Sequence, residues 1–321
     1  MKSNYSGVEP RIVVVYGGVG AEREVSLVSG AAVLDGLIDQ GLNATGVRID
    51  SAVIPLGIEG KVDVVFPVLH GEFGEDGRFQ ELLEAAGVEF AGSDSRSSAV
   101  CMDKVIAKER VFALGVSCAP SVAWDGIASL DADDLVHTIG PEIVAKPRAM
   151  GSSVGLHILA DVADLKCFLG KGDPLVSSGW ILERRIRGRE FSVGVLDGLP
   201  MEVVEIVLPD QSPYDYNKKY QANVTRYEVP ARLDEETRAR IKKDAASAFQ
   251  VCGCRDFARV DFMLDDDMES PVFLEINTLP GMTPKSLLPK SASGVGIGFG
   301  DLVVRMVNPA LERFRNRTNR G

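Results

Sequence analysis

Two apolar runs late in the chain, ARVDFML and VFLEIN, carry an arginine, two acids and an amide at alternating positions. Side chains alternate across a strand, so Arg259 and Asp261 share one face while Val260, Phe262 and Leu264 take the other. In the second run Glu275 and Asn277 share a face, opposite Leu274 and Ile276. Joined by DDDMES as a hairpin, the strands put Arg, Asp, Glu and Asn on one wall. Such a wall is costly unless metal or substrate satisfies it; otherwise it is a solvated sheet face with a salt bridge. Asp, Glu and Asn are hard oxygen donors, and their number suits Mg²⁺, which keeps waters and is completed by phosphate oxygens.

Phosphate chemistry also needs donors. No GxxxxGK[ST] occurs, and Gly17, Gly18 and Gly20 do not complete GxGxxG because Arg23 takes the final position. Lys146 ends a strand just before GSSVG, whose backbone N–H groups and hydroxyls are suited to close over phosphates, and Lys104 starts the preceding helix. Taken singly, each lysine reads better as a surface charge and GSSVG as a turn. His70, His137 and His157 are far apart with no HExxH spacing, and the five cysteines are odd in number and scattered. Neither a zinc site nor a disulfide framework fits, so a catalytic metal should be oxygen-bound.

The elements that must position these residues follow from periodicity. RIVVVYGG is a β-branched strand ending in glycines, and Val25, Val28, Ala32, Leu34 and Leu37 after it are spaced for a helix. VDVVFPVLHG, apolar almost throughout, reads as a parallel strand buried on both faces, followed by the helical RFQELLEAAG. A helix over DKVIAKERVFALG, the strand SVAW, an acidic helix around Asp131 to His137, and the strands EIVAKP and WILERRI come next. EFSVGVLDG and MEVVEIV form an antiparallel pair, and PDQSPYDYNKKYQANVT is a loop long enough to be a lid. A helix over Glu235 to Phe249, the acidic hairpin and a final helix near Asp301 complete the series.

The 321 residues are 45% apolar and carry a formal net charge of −11, an ordinary globular composition that excludes a disordered or collagen-like chain. The acidic balance weighs against a nucleic-acid partner. No apolar run approaches the roughly 18 residues that span a bilayer, and the start lacks a signal-peptide pattern, so the expectation is a cytoplasmic protein without a membrane partner.

Seven segments in order, GGVGAEREVSLVSG, LHGEFGEDG, MDK, AKPRAMGSSVG, YDYNKKY, RVDFML and LEINTLPGMTPKSLLP, resemble the D-alanine:D-alanine ligases of the ATP-grasp superfamily over nearly the whole chain. The resemblance implies a three-domain ATP-grasp fold of α/β and α+β class, with an N-terminal open parallel α/β domain at 1–102, a central domain at 103–187 and a catalytic domain at 188–321. It implies ATP-dependent ligation of two D-alanine molecules through an acyl phosphate, for peptidoglycan synthesis, with two Mg²⁺ ions, Mn²⁺ as a substitute, and a homodimer.

By the same resemblance, Glu22 reads the ammonium of the first D-alanine and is linked through Ser152 to Tyr220, which pins the lid, while His70 stands near that substrate. Lys104, Lys146 and Lys219 fall on the phosphates, Glu183 to Ile186 along the adenine and Glu190 on the ribose. Asp261, Glu275 and Asn277 become the metal ligands, in agreement with the strand-face argument. Arg259 and the Gly281 N–H stabilise the tetrahedral intermediate, and Ser286 and Leu287 receive the second carboxylate. Arg148, Ala149 and Met150 stand where many relatives are more polar, and the KKY of the lid looks like the type that takes D-alanine rather than D-lactate.

Overall fold

The computed structural model describes residues 10–20, 22–55, 57–58, 63–151, 154–171, 179–208, 225–265 and 270–318. The opening run forms β1 (Arg11–Gly17), parallel to β2 (Ala44–Ile49) on one side and β3 (Asp63–Val68) on the other, with β4 (Glu89–Phe90) beyond β3. Every residue of β3 is buried, the apolar run Val64–Val68 as its sequence requires and Asp63 paired with Arg11 at 2.9 Å. The expected open parallel sheet is therefore present.

Helix α1 (Arg23–Asp39) forms where its apolar spacing predicts one, but that stripe is only partly the buried face: Leu37 is buried and Val25, Ala32 and Leu34 are half-buried. Val28 is 60% exposed, whereas Ser26, Ser29, Gly30, Val33, Gly36 and Leu37 are buried. The cause is close approach, since a Cβ on Gly30 would overlap the Tyr16 side chain of β1. Small residues let the helix lie against the sheet. After α2 (Arg78–Ala85), the helix expected over DKVIAKERVFALG is present and a further helix precedes it. The first, α3 (Ser95–Met102), is capped by Asp94, and the second, α4 (Lys104–Phe112), by Asp103, whose extended backbone separates them.

A second sheet has the order β5-β8-β6-β7, all antiparallel: β5 (Ser121–Trp124), β6 (Ile143–Pro147), β7 (His157–Leu159) and β8 (Trp180–Arg184). Leu135 and Ile139 of α5 (Ala132–Ile139) and Leu165 of α6 (Val162–Lys171) pack on it beside Trp124 and Trp180. The third sheet, also antiparallel, runs β11-β10-β9-β12-β13. Its strands are β9 (Gly188–Leu196), β10 (Leu199–Val207), β11 (Arg226–Glu228), β12 (Phe257–Asp265) and β13 (Pro271–Asn277). One face is covered by α7 (Glu235–Val251), with Ile241, Ala245 and Ala248 against Phe191, Val193, Phe262 and Phe273. That coverage leaves the polar face of β12 and β13 toward the second sheet.

Helix α8 (Leu287–Ser293) leads to α9 (Phe299–Thr318), which returns to the first sheet. Leu302, Val303, Met306, Val307, Ala310, Leu311 and Phe314 share one core with Ile12, Val14, Val33, Leu37 and Phe66. Arg313 closes the joint, donating to both oxygens of Asp256 at 2.7 and 2.8 Å and to Glu89 at 2.6 Å. Among the described residues no helix is long and apolar enough to cross a membrane.

Candidate active site

The β12–β13 register puts Arg259 opposite Asn277 and Asp261 opposite Glu275. The strand-face expectation for these four side chains thus holds. Beyond them the register shifts, so that Phe262 pairs with Phe273 and Leu274 becomes the extra residue of a bulge. Leu274 accordingly lines the same cavity as Glu275, rather than joining Ile276 on the opposite face as strict alternation predicts. The bulge turns an apolar wall toward the place where the acids converge.

Asp261 is 5% exposed and its carboxylate is surrounded by donors. Arg259 Nε donates to Oδ1 at 3.0 Å and Nη2 to Oδ2 at 2.8 Å; Ser192 of neighbouring β9 donates to Oδ1 at 2.7 Å and Asn277 Nδ2 to Oδ2 at 3.2 Å. These are the partners a buried carboxylate needs. Among the described residues no three His, Cys, Asp or Glu side chains gather as a metal site. Two carboxylates and an amide nevertheless fit Mg²⁺, which leaves most of its shell to water and phosphate oxygens.

Near this wall stand three lysines, Lys104 and Lys108 buried and Lys146 half-buried. Lys104 Nζ lies 3.5 Å from Glu275 and donates to the Met150 carbonyl at 2.6 Å. Lys146 Nζ is 2.5 Å from one oxygen of Glu183, and Lys108 pairs with the other. Burial alone would raise the Glu183 carboxyl, but Lys108 and Lys146 outweigh it and hold it at about 2. Burial also pushes Lys104 and Lys108 below the ordinary lysine value, with Lys146 adding repulsion in both cases; Lys146 is raised, because Glu183 overcomes its burial.

At the far end, Glu22 at the start of α1 lies so close to Gly71 that a Cβ there would overlap its carboxylate. His70 is buried, its Nδ1 2.9 Å from the Leu279 carbonyl and its Nε2 3.3 Å from Ser29 Oγ. A carbonyl only accepts, so Nδ1 is the donor to Leu279. Glu75 stands 3.5 Å from His70 Nδ1. Burial raises the Glu75 carboxyl above its usual range and Glu22 adds to this, while His70 acts against it. Gly281 and Ser286 are neighbours, and Ser286 Oγ accepts from the Thr283 N–H at 3.1 Å.

One cavity of about 400 Å³ gathers Lys104, Lys146, Glu183, Ile186, Glu190, Arg259, Asp261, Glu275 and Leu287. Asn277 borders a small adjoining crevice with Glu75, Lys104 and Glu275. Ser152, Lys219 and Tyr220, with the YDYNKKY segment, lie outside the described residues. Sequence reasoning missed Glu75, Lys108 and Ser192, and the apolar walls Val144, Ile158, Met263 and Leu274. Met263 carried a signal, being two residues beyond Asp261 on the same strand face. Lys108 carried a weaker one, a second lysine one turn after Lys104 on α4.

Residues 128–308 match the family described as D-ala D-ala ligase C-terminus, and residues 53–93 that described as D-ala D-ala ligase N-terminus. A D-alanine–D-alanine ligase of Anaeromyxobacter sp. (strain Fw109-5) is 40% identical over 305 residues, covering 94% of this chain and 96% of that relative. The crystal structure of D-alanine–D-alanine ligase from Bacillus anthracis complexed with ATP is similar at a TM-score of 0.83 and 30% identity, covering 97% of this chain and 100% of that one. The VanG D-Ala:D-Ser ligase from Enterococcus faecalis is similar at a TM-score of 0.81 and 28% identity, covering 94% and 99%.

Proposed function

The chain belongs to the family of D-alanine–D-alanine ligases, and from that premise we infer that it joins two D-alanine molecules into the dipeptide of peptidoglycan precursors, with ATP converted to ADP and phosphate. The observation that carries this reading is the meeting of Asp261 and Glu275 with Lys104 and Lys146 around one cavity, beside the Glu22 and Glu75 carboxylates.

In the mechanism we propose, the carboxylate of the first D-alanine attacks the γ-phosphorus of ATP. Two anions must approach, and Lys104 and Lys146 supply the positive charge that permits it. Asp261, Glu275 and Asn277 would hold Mg²⁺, two ions by the family's pattern, which supplies further charge neutralisation on the phosphates when bound. Glu183 and Ile186 would meet the adenine and Glu190 the ribose, with Val144, Ile158, Met263 and Leu274 as apolar walls. Glu22 would hold the first ammonium. His70, fastened to Leu279 and Ser29, supports the wall around that substrate.

The amine of the second D-alanine, its carboxylate received at Ser286 and Leu287, then attacks the acyl phosphate carbonyl. The developing oxyanion takes hydrogen bonds from Arg259 and the Gly281 N–H, the amine proton is lost to solvent or base, and phosphate leaves. The roles given to Ser152, Lys219 and Tyr220 in closing the lid belong to the same proposal.

The test is purified protein with Mg²⁺, ATP and D-alanine, scored for phosphate and dipeptide, with D-serine and D-lactate offered as competing second substrates because a D-Ala:D-Ser ligase shares the fold. One dipeptide per phosphate with D-alanine preferred is expected. ATP turnover with no ligated product, or a clear preference for either competitor, would overturn the reading.

A further inference from the structure

We infer that the ion pair between Asp103 and Arg148 is a latch that positions residues 148–151 over the ATP phosphates and so keeps water from the activated carboxyl. Asp103 sits in the break between α3 and α4, where Oδ1 caps α4 by accepting from the N–H groups of Val105 and Ile106 at 3.0 and 3.2 Å. Both its oxygens also receive Arg148 Nε, at 2.7 and 2.8 Å, and Oδ2 lies 2.7 Å from Nη2. A fork held on a carboxylate already fixed as a helix cap has little freedom to swing.

Three further bonds fasten the same four residues. The Lys104 N–H donates to the Arg148 carbonyl at 3.0 Å, Lys104 Nζ to the Met150 carbonyl at 2.6 Å, and the Arg148 N–H to the Gly179 carbonyl at 2.9 Å. The loop touches both ends of the site. Met150 lines the nucleotide cavity, while a Cβ on Gly151 would lie 3.6 Å from the carboxylates of both Glu22 and Glu75. Arg148 is about a third exposed, and an ion pair that wet adds little to the stability of the fold. Its effect is geometric: it sets where the lysine that meets the phosphates and the glycine that borders the first substrate stand relative to each other.

This inference rests on the ligase reading. Without the latch the loop stands further from the phosphates and water reaches the acyl phosphate. Water then adds to its carbonyl carbon, the carbon–oxygen bond to phosphate breaks, and D-alanine and inorganic phosphate are released, so that the net reaction is ATP plus water to ADP plus phosphate.

The experiment uses the full chain with Arg148→Met, which leaves the α4 cap in place. Calorimetric binding of the Mg²⁺ complex of a β,γ-imido ATP analogue should weaken on the order of tenfold. In turnover, phosphate released per dipeptide should rise above one while the KM for D-alanine and the thermal midpoint stay near wild type. Arg148→Lys should restore part of both losses. Asp103→Asn, which retains a capping oxygen, should add little on top of Arg148→Met. Wild-type analogue affinity together with one phosphate per dipeptide in Arg148→Met would overturn the latch, as would losses shared equally by both substrates and accompanied by a fall in thermal midpoint. If the wild type forms no dipeptide, the ligase reading fails, and the analogue titration still decides whether the loop is latched.

Discussion

Arg259 and Asp261, two residues apart on β12, are bonded side by side, with Nε and Nη2 of the arginine on separate oxygens of the carboxylate at 3.0 and 2.8 Å. The pair sets two functions in one place: the acid assigned to metal is held by the cation assigned to the oxyanion.

Arg259→Met should therefore lower kcat by about 10² to 10³, the range seen when one oxyanion donor is removed. ATP affinity should change less, because Lys104 and Lys146 remain. Steady-state kinetics alongside calorimetry checks this; collapsed ATP binding with an unchanged kcat would contradict the assignment.

Asp261→Ala or Glu275→Ala should nearly abolish turnover at ordinary Mg²⁺ concentration, since either removes one of two carboxylates on the wall. A Mg²⁺ titration of activity is the measurement, on variants whose circular dichroism matches wild type. Near-normal turnover in either would end the metal assignment.

Glu75 predicts a pH effect on stability. The folded state holds its proton more tightly than the unfolded chain does, so the native fold has its full advantage below the ordinary value of about 4.5 and loses it as pH rises through the raised value. Glu75→Gln removes that dependence. Its thermal midpoint relative to wild type should climb with pH across this window and level off above it; a difference that does not vary with pH would refute the buried charge.

Lys108→Met should destabilise the protein by on the order of 3 kcal/mol, because it strips one cation from a buried carboxylate, though Lys146 still pairs with Glu183. Urea unfolding of both proteins tests it. The stability that Glu183 contributes is present above the ordinary carboxylate range and is lost as pH falls through about 2, so the deficit of the variant should narrow in strong acid.

Period-two alternation sufficed to bring Arg259, Asp261, Glu275 and Asn277 together, because a strand's two faces are written directly in its sequence. The bulge at Leu274 was not legible, since it is set by pairing between strands rather than by either strand alone. Nor was the share of the α1 buried face taken by Ser26, Ser29, Gly30 and Gly36, which close approach to the sheet places beside Leu37 of the apolar stripe. Partners distant along the chain were hidden for the same reason: Ser192 reaches Asp261 across 69 positions, and Cys101 Sγ lies 3.4 Å from Cys254 Sγ across 153. The cysteines that look scattered in sequence are free thiols, with Cys101 and Cys254 in contact.

The return of α9 to the first sheet has a consequence for biosynthesis. Ile12, Val14 and Phe66 emerge from the ribosome early, yet the α9 side chains that pack against them, from Leu302 to Phe314, are made about 240 to 300 residues later. At ordinary rates of translation that is roughly 12–60 s. During this interval the part of the core that α9 covers stays open to water, with Val33 and Leu37 of α1, and later Phe257, Leu279 and Leu288, packed on the rest of it. A nascent chain stopped short of Phe299 should therefore be retained on apolar-binding chaperones or aggregate, while the released full chain folds in a single late step that joins its earliest strands to its latest helix.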